Sequence, residues 1–316
     1  MNKPIKRTKE SWVRLVLSKF MPIDLISYAY ILINLIYVLL GRNRIPGAGE
    51  HLGMFAGIAL ILFLLIVVYN ENRGWLLTFL RNWYPFILFA YFFEFSTIAN
   101  LVFFNDFIDP FFLKIDNFIF GYQPVLAWGQ RFDNLFIDEL FYFSYFSYYL
   151  VVPGIAFLLY FKKREYFSRY AFTITFVFYL CYLTYNVLPV MGGKYLPGVP
   201  EMITSYEGGL FQHIMAFIYR GSNHSGSAFP SSHVAVTVAV NIAALQYFRR
   251  IGYWLIPLTI LLSISTVYCH YHYFIDTVFG VFYGLGFYLT GTALFSFLSR
   301  IMKKKYSRET GQESLQ

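Results

Sequence analysis

The feature that most limits this chain is a series of long apolar runs. They cover Ile23–Leu40, Met54–Tyr69, Pro85–Phe104, Leu140–Phe161, Tyr170–Leu188, Pro230–Phe248, Ile251–Cys269 and Phe274–Leu298. Each is near the ~20 residues that a helix needs to cross the hydrocarbon of a bilayer. The runs are continuous and lack the alternation of a barrel strand. In lipid a backbone satisfies its own polar groups only as a helix or a closed barrel. The runs therefore read as helices. Charged residues make up 13% of the chain, about half the share of a soluble domain. That is too little to cover a water-soluble surface. The expected fold is an all-α integral membrane protein, a polytopic bundle of about eight spans.

Basic residues orient the spans. An even number puts both termini on one side, and the amino-terminal tail carries Lys3, Lys6, Arg7, Lys9, Arg14 and Lys19. With that side cytoplasmic, all of the 25 Lys and Arg lie there except Arg42, Arg44, Lys114, Arg131, Lys194 and Arg220. This is the positive-inside bias of a protein of a plasma or inner membrane. It accounts for the net charge of +8. A nucleic-acid partner is not indicated, because the basic residues are spread over membrane-flanking loops.

The chain then divides into four parts. Residues 1–22 form a basic cytoplasmic tail, in which Trp12, Val13, Val16, Leu17 and Phe20 share one face of an interfacial helix. Residues 23–82 hold two additional spans, 83–300 a six-span core, and 301–316 a basic and polar tail. No cleavable signal peptide is expected, since the first apolar run is too long and lacks a small-residue cleavage site. A second interfacial helix is expected within Asn105–Glu139, and Cys181 and Cys269 show no metal-ligand pattern.

Two motifs carry chemistry. His272 and Asp276 are four residues apart, so both fall on one helical face and the carboxylate can hold one imidazole nitrogen while aiming the other. The run Pro230-Ser231-Ser232-His233 opens an earlier span. Proline suits a first helical turn, and the N–H groups of Ser231, Ser232 and His233 would then face an anion. The assigned topology puts His233, His272 and Lys194 on the same non-cytoplasmic side. Together they suit phosphoryl transfer. His272 is the nucleophile, His233 the proton donor and acceptor, and Asp276 the partner of His272. Lys194 is the first choice of cation for the phosphate oxygens, with Arg220 next, and Thr266 is a further candidate phosphate contact. The scheme calls for no metal and no cofactor.

These motifs and their separation resemble the type 2 phosphatidic acid phosphatase superfamily, over roughly Asp116 to Leu298. The stretches Asp116-Asn117-Phe118-Ile119-Phe120-Gly121-Tyr122-Gln123-Pro124, Tyr148-Tyr149 and Pro189-Val190-Met191-Gly192-Gly193-Lys194-Tyr195 are similar to the branch that includes the inositol phosphorylceramide synthases. The resemblance implies a six-helix core with His272, His233 and Asp276 in the roles above and Ser231 as a phosphate contact, beside the N–H of Ser232. Lys194 falls at the branch's basic position. Two features depart from the common lipid phosphatases. No Arg-Pro follows Lys194, and Thr266 stands where they have an arginine. Loss of that arginine removes a bidentate phosphate clamp, which favours a relative that processes phosphodiesters.

The expected activity is hydrolysis or transfer of a lipid phosphoester at the non-cytoplasmic leaflet, through a phosphohistidine. The donor is a lipid phosphate or phospholipid, and the acceptor is water, a polyol or a lipid hydroxyl. An inositol-phosphorylceramide-synthase-like head-group transferase is the narrower alternative. A non-catalytic transporter or scaffold is the alternative from another class. His213, His224 and His270 have no spaced partner and read as ordinary interfacial residues. Glu94 lies inside an apolar run, where a carboxylate is costly. A hydrogen bond to a neighbouring span or a polar cavity would explain it.

Overall fold

The ends of the apolar helices are set by polar residues that find partners across the bundle. In a computed structural model the described residues are 16–70, 74–132, 134–204, 208–220 and 224–310, the side chains of 204 and 304–310 excepted. In chain order the helices are α1 (Pro22–Leu40), α2 (Ala48–Val68), α3 (Trp75–Ile98), α4 (Asp109–Phe120), α5 (Pro124–Ala127), α6 (Leu135–Phe146) and α7 (Tyr148–Lys162). Then follow α8 (Arg164–Val187), α9 (Val199–Thr204), α10 (Leu210–Arg220), α11 (Ser232–Tyr247), α12 (Arg249–Tyr268) and α13 (Phe274–Thr310). Among the described residues no strand forms; Val190 and Ser227 make an isolated bridge. The protein is an all-helical membrane bundle.

Among the described residues six helices are long and apolar enough to cross a bilayer: α1, α2, α3, α8, α12 and α13. The run expected at Leu140–Phe161 is two helices, α6 and α7, bent by 41°. At the bend Ser144 and Ser147 donate their hydroxyls back to the carbonyls of Leu140 and Ser144, an arrangement that bends helices. The run expected at Pro230–Phe248 is α11, of 16 residues, about 24 Å long. The eight expected runs thus correspond, among the described residues, to six long helices, one bent pair and one short helix. Most of α11 is buried inside the bundle, so lipid thickness does not set its length.

α3 also starts earlier than expected. The apolar run begins at Pro85, but the helix begins at Trp75 and takes in Arg81. Arg81, assigned to a cytoplasmic loop by charge alone, is buried at 1% exposure against Asp24 of α1. Its guanidinium donates to both carboxylate oxygens, at 2.7 and 2.5 Å. Tyr84 adds a hydrogen bond to the same carboxylate, and Asp24 accepts the N–H of Met21. The pairing neutralises a charge that apolar surroundings would otherwise reject. The expected interfacial helix around Trp12 lies outside the described residues.

α8 is the most buried of the long helices and packs against α1, α3, α7, α11 and α13. α13 crosses α11 at Gly280 and Gly284. A Cβ on Gly280 would lie 2.8 Å from the Ser231 carbonyl oxygen, and one on Gly284 would lie 2.5 Å from that of Ala235. This spacing of small residues lets two helix backbones approach. The approach brings the start of α11 onto the first turn of α13.

Candidate active site

α11 does not begin at Pro230. The Pro230 carbonyl accepts the hydroxyl of Tyr185 from α8, and the Ser231 N–H donates to the Asp276 carbonyl at 3.0 Å. These bonds hold the chain extended, and helix starts at Ser232 with Ser231 as its N-cap. The expectation of three open N–H groups is corrected accordingly, since that of Ser231 is engaged. His233 sits in the first turn and faces the bent pair. Tyr145 lies before the bend and Tyr148 after it, and their rings pack 4.9 and 4.4 Å from that of His233. Tyr145 Oη is 3.2 Å from His233 Nε2 and 2.7 Å from Tyr219 Oη.

His272 lies in the short connection between α12 and α13. The N–H groups of Tyr271 and His272 both donate to the Thr266 carbonyl, at 3.0 and 2.9 Å, which folds the connection back over the end of α12. His272 Nδ1 is 3.6 Å from Asp276 Oδ2, beyond hydrogen-bond length. That oxygen accepts the Tyr273 N–H at 3.0 Å. A spacing of this kind closes in many enzymes when substrate binds. The rings of His233 and His272 are 6.1 Å apart at 62°.

Both rings open on one cavity of about 260 Å³. Lys194, Ser232, Tyr219, Tyr271 and His224 also line it. Lys194 reaches it on a loop that needs two glycines. Gly192 has φ +87°, and a Cβ there would meet Ala228 and the Tyr271 carbonyl at 2.7 and 2.9 Å. A Cβ on Gly193 would collide with Val125. The Lys194 ammonium lies over the rings of Tyr195 and Tyr219, 5.0 and 5.4 Å from their centroids. Burial lowers its pKa to about 8. His272 is pushed well below the usual histidine range, first by burial, then by His233 and Lys194, against a hydrogen bond to Ala228. Its imidazole is therefore neutral at pH 7 and carries a lone pair for nucleophilic attack. Two facing imidazoles and a cation around one cavity can hold a tetrahedral oxyanion.

Other expected residues lie elsewhere. Ser231 is buried and does not line the cavity. Thr266 is buried with its hydroxyl on Ser263 and Thr277. Arg220 is exposed at the end of α10 and is absent from the cavity wall. His270 bonds the Val125 carbonyl and His213 that of Gly209.

Some contributions were missed from sequence. Glu94 pairs with His224 at 3.2 Å, and the His224 ring also packs edge-on against Phe93 on the cavity wall. Asp116 of α4 accepts the N–H groups of Phe274 and Ile275 at 2.8 and 3.1 Å. It satisfies two donors that the start of α13 leaves open. Asp109, two turns earlier on α4, accepts from the 191–192 backbone. The signal in sequence was two carboxylates seven residues apart, on one face of a helix whose Phe111 and Phe118 are exposed.

The model of the PAP2 superfamily matches residues 118–290. The chain belongs to the PAP2 superfamily. The match takes in the Lys194 loop, both histidines and Asp276. A PA-phosphatase related-family protein of Dictyostelium discoideum is 35% identical over 71 residues, which is 20% of this chain and 13% of that protein. The chain thus matches a small part of that relative's length. No solved structure matches the chain.

Proposed function

We propose that this protein hydrolyses or transfers a lipid phosphoester through a phosphohistidine. Neutral His272 attacks phosphorus, forming a P–N bond as the P–O bond to the leaving group breaks. His233 gives its proton to the leaving oxygen. In the second step His233 takes a proton from the acceptor hydroxyl, whose oxygen displaces His272. Asp276 orients His272 and balances the charge that its ring gains, while Lys194 and the start of α11 meet the phosphate oxygens. The observation that carries this reading is the facing of the two imidazoles, 6.1 Å apart, across a cavity that Lys194 also lines. The basic residues of the flanking segments support a site at the non-cytoplasmic leaflet with both termini cytoplasmic.

A phosphodiester donor, as in an inositol-phosphorylceramide-synthase-like head-group transfer, is favoured by one further observation. Lys194 brings an ammonium to the cavity, while Thr266, at the position of the missing arginine, is buried away from it. Among the described residues Lys194 is the one Lys or Arg on the cavity wall, and one cation suits the single charge of a phosphodiester better than the dianion of a monoester. Purified protein in lipid discs, given a defined mixture of lipid phosphates, phospholipids and hydroxyl acceptors, tests both readings by mass spectrometry of the products. Free phosphate marks hydrolysis, and a new phosphodiester marks transfer. Product formation that survives His272→Ala would sink the covalent route. An inactive wild type over a broad lipid panel would favour a transporter or scaffold.

A further inference from the structure

The chemistry above leaves Asp109 unused, yet this carboxylate is buried at 7% exposure and meets three donors. Its Oδ2 accepts the Met191 N–H at 2.9 Å. Its Oδ1 accepts the Gly192 N–H at 3.0 Å and the Tyr273 hydroxyl at 2.8 Å. Gly192 stands two residues before Lys194. Tyr273 directly follows His272, is fully buried, and gives its own N–H to Asp276. The environment is apolar, built of Phe112, Val190, Phe229 and Val267. A carboxylate in such a place is costly unless its lone pairs are filled, and here donors from two separate loops fill them. A neutral side chain of the same size cannot accept all three bonds.

We propose that Asp109 is a positioning residue that holds the Lys194 loop in register with the His272 connection. Its catalytic consequence rests on the function proposed above; the coupling of the loops does not. Charge-assisted bonds of this type are directional. Releasing one loop from Asp109 therefore alters the geometry of the other. Asp116 fixes the start of α13 separately, through Phe274 and Ile275; Asp109 is the carboxylate that hydrogen-bonds both loops, beside the backbone packing of Gly192 and Gly193 on Tyr271 and His270.

The test reads Lys194 directly. Its titration is followed by amine labelling and mass spectrometry across pH, in the full chain in lipid discs. The ammonium faces His272 from the neighbouring connection, His233 from α11 and His224 from the segment before it. Tyr195 and Tyr219 flank it, and Glu94 of α3 reaches only as far as His224. In wild type the labelling midpoint is expected near 8. In Tyr273→Phe, which removes one hydroxyl and touches no group beside Lys194, the midpoint moves up on the order of one unit as the loop relaxes into water. Asp109→Asn moves it at least as far, and the double variant no further than Asp109→Asn alone. Turnover per folded molecule falls about tenfold in each, with KM within about twofold. A Tyr273→Phe midpoint identical to wild type would overturn the proposal, as would additive shifts in the double variant. If Asp109→Asn does not fold, Tyr273→Phe decides alone. If wild type turns over no lipid, the labelling result still judges the coupling, and the failure belongs to the proposed function.

Discussion

The Ser231 N–H donates to the Asp276 carbonyl at 3.0 Å. This bond joins the N-cap of α11 to the first turn of α13, so His233 and Asp276 are held by one backbone contact rather than by their own side chains. Gly280 makes room for it, because its missing Cβ would press on the Ser231 carbonyl and on Val234.

Gly280→Ala should therefore part the two helices. The expected cost is about 1–3 kcal/mol, as for other overpacked contacts, with reduced turnover in the molecules that remain folded. Gly286→Ala is the control, because nothing lies within 4 Å of a Cβ there, and a helix interior favours alanine. Thermal unfolding in detergent with a parallel turnover assay checks both. Equal midpoints for the two variants would show that the close crossing is not under strain.

His272→Ala should abolish product formation. Asp276→Asn should lower kcat on the order of 10²–10⁴-fold by leaving the ring misoriented and its charge unbalanced. His233→Ala should be most severe for lipids with poor leaving groups. Stopped assays across leaving groups of graded acidity distinguish these roles. A uniform loss in His233→Ala would speak against proton donation.

The pH profile of kcat/KM should take an acid limb from His272 and an alkaline limb from Lys194, beside the alkaline loss of the proton that His233 must carry. His272 must be neutral, and its lowered affinity for protons places the acid limb below 6.5. Lys194 must be charged, and its pKa of about 8 places the alkaline limb there. Lys194→Arg should extend activity to higher pH, since a guanidinium stays charged. The same shifts bear on stability. Between the folded and unfolded pKa of His272 the unfolded chain binds the extra proton, so that contribution falls as pH drops below 6.5. An alkaline limb unchanged in Lys194→Arg would exclude Lys194 as its source.

Arg81→Ala should destabilise the joint between α1 and α3 by about 3–5 kcal/mol, because it strands the buried Asp24 carboxylate. Asp24→Asn in the same chain should recover part of that loss. Denaturation in mixed micelles measures both. Failure of the second change to help would mean that the cost is lost packing rather than an orphaned charge.

The helical character of the chain was legible in its apolar runs, because lipid leaves the backbone no other open-ended choice. The spacing of His272 and Asp276 pointed to one helical face, but only Asp276 lies on α13, and His272 sits in the connection before it. The extent of the helices was less legible. Arg81 reads as a loop residue until Asp24 is known to lie beside it, and the bend at Ser147 has no mark in a hydropathy profile. The spacing of Asp109 and Asp116 and the intramembrane place of Glu94 were visible, but what they bond was not, for a related reason. Their partners are backbone N–H groups, or side chains more than a hundred residues away or nearly so, and no periodicity records such contacts. Ser231 shows the reverse, a motif residue whose N–H is taken by Asp276.

Local order along the chain thus determined that the protein is a helical membrane bundle and which residues stand as candidates for the site, because span length and residue spacing are properties of short segments. Tertiary structure alone decided which of those residues meet. The cavity shared by His233, His272 and Lys194 arises where α11 crosses α13 at Gly280 and where the loops on either side converge on Asp109. That convergence depends on close packing between segments far apart in sequence, and close packing is a property of the folded whole.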